Sequence, residues 1–187
     1  MAIKTFTTGE VLTASDTNTY LANSGLVFIT QATLTGAAVS IQGCFSATYD
    51  SYLLQFSNAK TGAALVASWQ LLNGATPITT ATYNVQRASL QAGAWVLSAT
   101  ASSTSGNLIT TGSDVAQGGT FTIYNPFLAT TTVSQSTSIY SGNVALSYLE
   151  LMPSIQTGTT SCDGIKLIAS GSTWTTGKVI VYGFRQS

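Results

Sequence analysis

From Leu26 onward, apolar residues come in short segments rich in Val, Ile, Thr and aromatics, each closed by Gly, Asn, Ser or Pro. That is the pattern of β-strands joined by turns. It predicts strands over 26–33, 38–47, 51–58, 63–73, 81–90, 94–99, 106–111, 119–124, 128–139, 144–151, 164–169 and 177–184. The clearest are Tyr52-Leu53-Leu54-Gln55-Phe56 and Val179-Ile180-Val181-Tyr182-Gly183-Phe184. Residues 63–73 hold good helix formers in Ala63, Ala64, Leu65, Ala67 and Leu71, yet Asn73-Gly74 and Thr76-Pro77 close the run as a turn does. Long helices are missing from the pattern. About ten strands in one domain predict two packed antiparallel sheets, an all-β sandwich of jelly-roll type.

The first two dozen residues read differently. Ser15-Asp16-Thr17-Asn18-Thr19-Tyr20-Leu21-Ala22-Asn23 is a short helix candidate, with Ser15 or Thr13 as its cap and Asp16 near its positive end. So short a helix is marginal alone, and Leu12, Tyr20 and Leu21 need another surface to cover them. Residues 1–24 are therefore expected to be a docking arm and 25–187 the sandwich. Within the sandwich, 99–119 is nearly all small and polar and reads as an exposed loop or projection. The hydroxyl-rich tract Thr130 to Ser138 reads as a solvent-facing strand because of its β-branched content.

Composition narrows the function. The 187 residues suit one domain with a full core, and 44% hydrophobic residues are too many for disorder. Six Lys+Arg balance six Asp+Glu, there is no His, and charged residues make 6% of the chain against about 25% in ordinary domains. Ser and Thr, roughly 54 together, supply most of the polar surface. Nucleic-acid binding needs clustered cations, whereas Lys4, Lys60, Arg87, Lys166, Lys178 and Arg185 are scattered singly. No apolar run approaches the roughly 18 residues of a membrane-spanning helix, and the N-terminus lacks the apolar stretch of a secretory signal. The expectation is a protein kept in a cytoplasm or released by lysis, bound neither to membrane nor to nucleic acid.

Candidate chemistry is sparse. Without His, a Ser or Cys nucleophile lacks its usual base. Glu10, Asp16, Asp50, Asp114, Glu150 and Asp163 are the acids available for acid–base work on a sugar. Glu150, inside Tyr148-Leu149-Glu150-Leu151-Met152, is the one expected to point into a pocket, while Asp50 and Asp163 read as turn residues. No cluster of acids has the spacing of a calcium loop. Gln117-Gly118-Gly119 and Ala169-Ser170-Gly171-Ser172 read as turns rather than phosphate loops. Cys44 and Cys162 lack the spacing of a zinc or redox motif and read as small buried hydrophobes. Trp69, Trp95 and Trp174 are candidate stacking platforms for a glycan. Trp174 is the best of them, because Gly171-Ser172-Thr173 and Thr175-Thr176-Gly177 flank it like a loop. No catalytic, cofactor-binding or metal-binding residue is assigned.

Several short motifs carry a resemblance. Asp163-Gly164-Ile165-Lys166-Leu167, then Ser170-Gly171-Ser172-Thr173-Trp174, then Gly177-Lys178-Val179-Ile180-Val181-Tyr182-Gly183-Phe184 resembles the closing hairpin of small virion proteins of tailed bacteriophages. Phe45-Ser46-Ala47-Thr48-Tyr49-Asp50-Ser51-Tyr52 and Tyr124-Asn125-Pro126-Phe127 are similar to elements of the same proteins. Gly9-Glu10-Val11-Leu12-Thr13-Ala14-Ser15-Asp16-Thr17-Asn18-Thr19-Tyr20-Leu21 is similar to the opening of phage tail and fibre proteins. The chain departs from fibre proteins in having no collagen-like, coiled-coil or repeated shaft.

The resemblance implies a non-enzymatic β-sandwich without cofactor, usually a homotrimer, assembled in the host cytoplasm and docked on a virion. The favoured role is a capsid decoration (cement) protein that contacts the major capsid protein. The second is a tail-fibre, tail-tip or spike component attached through the arm. A third is a module that recognises a host surface glycan through Trp174. The composition independently calls for partners, since a chain with so few charges needs much of its apolar surface covered by other subunits.

Overall fold

The computed structural model describes residues 7–11, 13–14, 25–91, 93–143 and 146–184. Among these residues the regular structure is nearly all antiparallel β, and two sheets pack as a sandwich. In chain order the strands are β1 (Leu26–Thr33), β2 (Ala38–Ile41), β3 (Ser51–Thr61), β4 (Leu65–Asn73), β5 (Thr76–Pro77), β6 (Tyr83–Gln91), β7 (Ala94–Ser103), β8 (Gly106–Thr111), β9 (Gln117–Tyr124), β10 (Thr132–Asn143), β11 (Leu146–Gln156), β12 (Gly164–Ile168) and β13 (Trp174–Phe184). The large sheet runs β1-β13-β3-β9-β10-β11-β6-β7. The small one runs β2-β12-β4-β5, and β8 also pairs with β4. The chain passes between sheets at β1/β2, β2/β3, β3/β4, β5/β6, β7/β8, β8/β9, β11/β12 and β12/β13. Repeated crossing of this kind is the jelly-roll-like habit expected of the sequence.

The core forms where the strands alternate cleanly. Tyr52, Leu54 and Phe56 on β3, Val179 and Val181 on β13, and Phe121 and Ile123 on β9 turn inward together. They meet Trp69 and Leu71 on β4, Ile165 and Leu167 on β12, and Leu108 and Ile109 on β8. Each such side chain contributes roughly 1.5–3 kcal/mol by leaving water. Trp69 is the hub: its ring lies 5.3 Å from those of Phe121 and Tyr83, both edge-on. Its indole rests where a side chain on Gly106 would stand, so β8 approaches β4 closely only because residue 106 has none. The buried phenols keep partners. Tyr52 accepts from the Ser46 amide and donates to the Ser46 carbonyl, and Tyr83 accepts from the Leu71 amide and donates to the Ile78 carbonyl.

Several sequence expectations meet the structure here. Residues 65–73 form β4, and Gly74, at φ +58°, makes the turn that ends it. The strand expected over 38–47 stops at Ile41. The stretch 99–119 is not a projection, for it holds the end of β7 and all of β8, where Leu108, Ile109, Thr110 and Thr111 are buried. The reason is that β8 contributes Leu108 and Ile109 to the space between the sheets, and its Thr hydroxyls find partners there. The tract 130–138 does form a strand, but it turns its hydroxyls inward rather than to solvent. The helix expected over 15–23, with Leu12, Tyr20 and Leu21, lies outside the described residues.

Candidate functional site

A β-strand presents alternate side chains to opposite faces, so its register decides which set is buried. On β10 and β11, and at the Ser89 end of β6, the register runs against hydrophobicity, whereas earlier in β6 Tyr83 and Val85 are buried and Asn84 and Gln86 exposed. Thr132, Ser134, Ser136 and Ser138 of β10 face inward, as do Glu150, Met152, Ser154 and Gln156 of β11 and Ser89 of β6. The outward set is apolar: Val133 and Ile139 on β10, and Leu149, Leu151 and Ile155 on β11, all 39–62% exposed. Cross-strand pairing lines these residues into rows. Ile139 pairs with Leu149, Leu149 with Leu90, and Leu90 with Trp95 of β7. One row along, Thr137 pairs with Leu151, Leu151 with Ala88, and Ala88 with Leu97. A third row joins Tyr124, Val133 and Ile155. Trp95 is 53% and Leu97 74% exposed.

The polar inner layer explains how this register is held. Glu150 is fully buried, and its Oε1 accepts from Arg87 Nε at 3.1 Å, from Arg87 Nη2 and from Ser89 Oγ at 3.0 Å. Its Oε2 accepts from Thr110 Oγ1 of β8. The carboxylate thus ties β11 to β6 and to the opposing sheet. Ser134 and Ser136 donate to the Ser154 and Met152 carbonyls. Gln156 Nε2 donates to Thr82 Oγ1 at 3.1 Å. A slip of one residue would strand a charged Glu150 in solvent-facing rows and break every one of these bonds.

The remaining candidates fall as follows. Glu150 points not into an open pocket but into this ion-paired layer. Trp174 is 2% exposed rather than on a loop. It opens β13, where its amide donates to Gly36 O and the preceding Thr173 carbonyl accepts from Gly62, so the Gly-Ser-Thr flank is pinned between strands. Its ring is not offered to solvent. Trp69 is also buried, and Trp95 is the tryptophan on the surface. Asp163 Oδ1 accepts from the Gly74 amide at 2.8 Å, as a turn residue does, though across 89 positions. Cys44 and Cys162 are free and buried, and burial raises their thiols to about 12 and about 11. Both stay protonated at neutral pH and lack nucleophilic character.

Among the described residues no three of His, Cys, Asp and Glu converge in a way that would hold a metal ion, and no helix is long and apolar enough to cross a membrane. The feature that does stand out was not assigned from sequence. It is a broad outer face, spanning β9 to β7, whose described outward residues include no charged side chain. A second apolar patch of Leu26, Phe28 and Phe184 lies at the opposite edge, where residue 24 and the segment before it join β1. The sequence matches no family model, and neither a curated protein nor a solved structure is significantly similar to it.

Proposed function

We propose that this chain is a non-enzymatic structural protein of a bacteriophage virion, a homotrimeric decoration (cement) protein that binds the major capsid protein and stabilises the head. The observation that carries the reading is the outer face of β10, β11, β6 and β7, whose described residues are uncharged and expose Val133, Ile139, Leu149, Leu151, Ile155, Trp95 and Leu97, while β10 and β11 bury serines and a glutamate. Isolated proteins rarely keep so large an apolar patch in water. A function that consists of covering area needs such a face and needs no reactive group. The phage-like motifs supply the setting.

A tail-fibre, tail-tip or spike role is the second reading. It is favoured by the fibre-like opening motif and, separately, by the exposed Leu26, Phe28 and Phe184 patch on β1 and β13. Quantitative mass spectrometry of purified particles separates the two. Hundreds of copies per particle support the capsid role, a few to a few dozen support the tail, and absence from particles overturns both. Deleting residues 1–24 tests the arm: the truncated protein is expected to fold and to lose attachment to particles, and normal attachment would overturn the arm's role.

A further inference from the structure

The outer face has unlike ends. At the β7 end, Trp95 and Leu97 stand out on the sheet's edge strand, and every residue from Ala94 to Ser102 is exposed. At the β9 end there is a depression instead of a ridge. Residue 118 is glycine, opposite Ile139, and with no side chain between β3 and β10 the surface sinks into an open groove of about 740 Å³. Gln55, Val115, Thr120, Thr137 and Ile139 line it. A side chain built on Gly118 would meet only the Phe56 carbonyl, at an ordinary 3.7 Å. The groove is therefore space that the fold leaves open and does not itself need.

We propose that copies of this chain join head to tail through this face, with Trp95 and Leu97 of one copy seated in the groove over Gly118 of the next. The inference rests on the homotrimeric reading and specifies its interface. Three observations select a second copy as the occupant. Val133, Ile139, Leu149, Leu151, Ile155, Trp95 and Leu97 together present on the order of 700 Å² of side chain, which a ring divides between the two neighbours of each copy, so that the contact is on the small side of the roughly 800 Å² per partner of a standard interface. Among the described residues no charged side chain lies on the face, so its ridge and its groove meet in two copies without like-charge repulsion, and nothing described there selects a charged partner. Ridge and groove sit about four strand spacings apart, roughly 19 Å, on one surface. A contact between different patches of the same chain is heterologous, and it closes into a ring when the rotation per copy divides a full turn.

Two substitutions test the geometry. Leu97→Asp removes the ridge at a position needing no room in the fold, and Gly118→Trp fills the groove without displacing backbone. Each alone is expected to weaken self-association at least roughly 30-fold, as loss of a central anchor does, with circular dichroism and melting of the subunit unchanged. The deciding experiment mixes them. Leu97→Asp keeps an intact groove and Gly118→Trp an intact ridge, so the mixture is expected to form a complex of two chains and no larger one by light scattering. If the wild type is a trimer and the mixture stays monomeric, or if either variant alone remains a trimer, the head-to-tail contact is overturned while the trimer stands. A monomeric wild type at micromolar concentration overturns both. Binding of each variant to particles, measured separately, reports on the virion role alone.

Discussion

The two halves of the large sheet solve the same problem in opposite ways. Where β13, β3 and β9 lie over β4 and β12, apolar residues face in, and Trp69, Tyr52, Leu54 and Phe121 fill the space between sheets. Where β10, β11 and the Ser89 end of β6 continue the same sheet, serines and Glu150 face in, and leucines and isoleucines face out. Here β8 packs across β10, β11 and β6, with contacts to all three. Short hydroxyl side chains let it sit near, and Glu150 bonds to it through Thr110. The first half is completed by the chain's own second sheet. The second leaves exposed apolar side chains on its outside, the face that the proposed contact between copies would cover. Among the described residues each half leaves two buried polar atoms without a partner, the Trp69 and Trp174 indole N–H groups in the first and the Ser138 and Ser154 hydroxyls in the second. A sandwich can thus divide its labour, one half holding the fold and the other presenting a surface.

Substitutions that break each half in turn sharpen the contrast. Leu54→Ala, fully buried in the first half, is expected to cost about 2–5 kcal/mol in urea unfolding, because it leaves a cavity that neighbouring rings cannot close. Glu150→Gln attacks the inner layer of the second half. It leaves the Arg87 charge without its partner, and the expected loss is about 1–3 kcal/mol, below that for a fully buried pair because Arg87 is 26% exposed. Adding Arg87→Met should recover part of it, which a double-mutant cycle reads directly.

Alkaline titration probes the apolar core itself, where Cys44 and Tyr83, the first residue of β6, both lie. Burial raises Cys44 from 9.0 to about 12 and Tyr83 from 10.0 to about 12. The unfolded chain therefore loses these protons before the folded one does. Stability is full below about pH 9 and falls as pH rises toward 12, by no more than about 1.4 kcal/mol per unit for each group. Cys44→Ala should flatten the early part of that fall in unfolding curves taken between pH 8 and 11. Leu151→Ser, on the outer face of the second half, should change subunit stability least, by about 0.5 kcal/mol or less. Its effect should appear elsewhere: the wild-type melting temperature is expected to rise with protein concentration, and the variant to lose that dependence.

Much of the architecture was legible because strand signals are local. Tyr52-Leu53-Leu54-Gln55-Phe56 and Val179-Ile180-Val181-Tyr182 are runs of aliphatic, β-branched and aromatic residues, and Asn73-Gly74 marks a turn whatever the helix propensity before it. What these signals do not encode is which side of a strand faces in. The tract 132–139 offers a hydroxyl set and a Val/Ile set, and hydrophobicity alone assigns them wrongly. The available clue was Glu150 between Leu149 and Leu151, a carboxylate paired across strands with Ser138 and Ser89. Placing it inside requires knowing that Arg87 and Thr110 converge on it from 63 and 40 residues away. Trp174 misled for a related reason. Its Gly, Ser and Thr neighbours look like loop, but the Thr173 carbonyl accepts from Gly62 and the Trp174 amide donates to Gly36, partners that only the assembled sheets bring near.

The bare edge of β7 has a consequence for the life of a newly made subunit. It carries no charge and no proline to repel a stray strand, so until it is capped it is a hazard to its own kind. Rapid, abundant synthesis shortens that unprotected interval, since correct neighbours are then at hand, whereas a trickle of orphan chains would linger exposed and be cleared or clump. Timing of supply thus becomes part of how the protein stays usable.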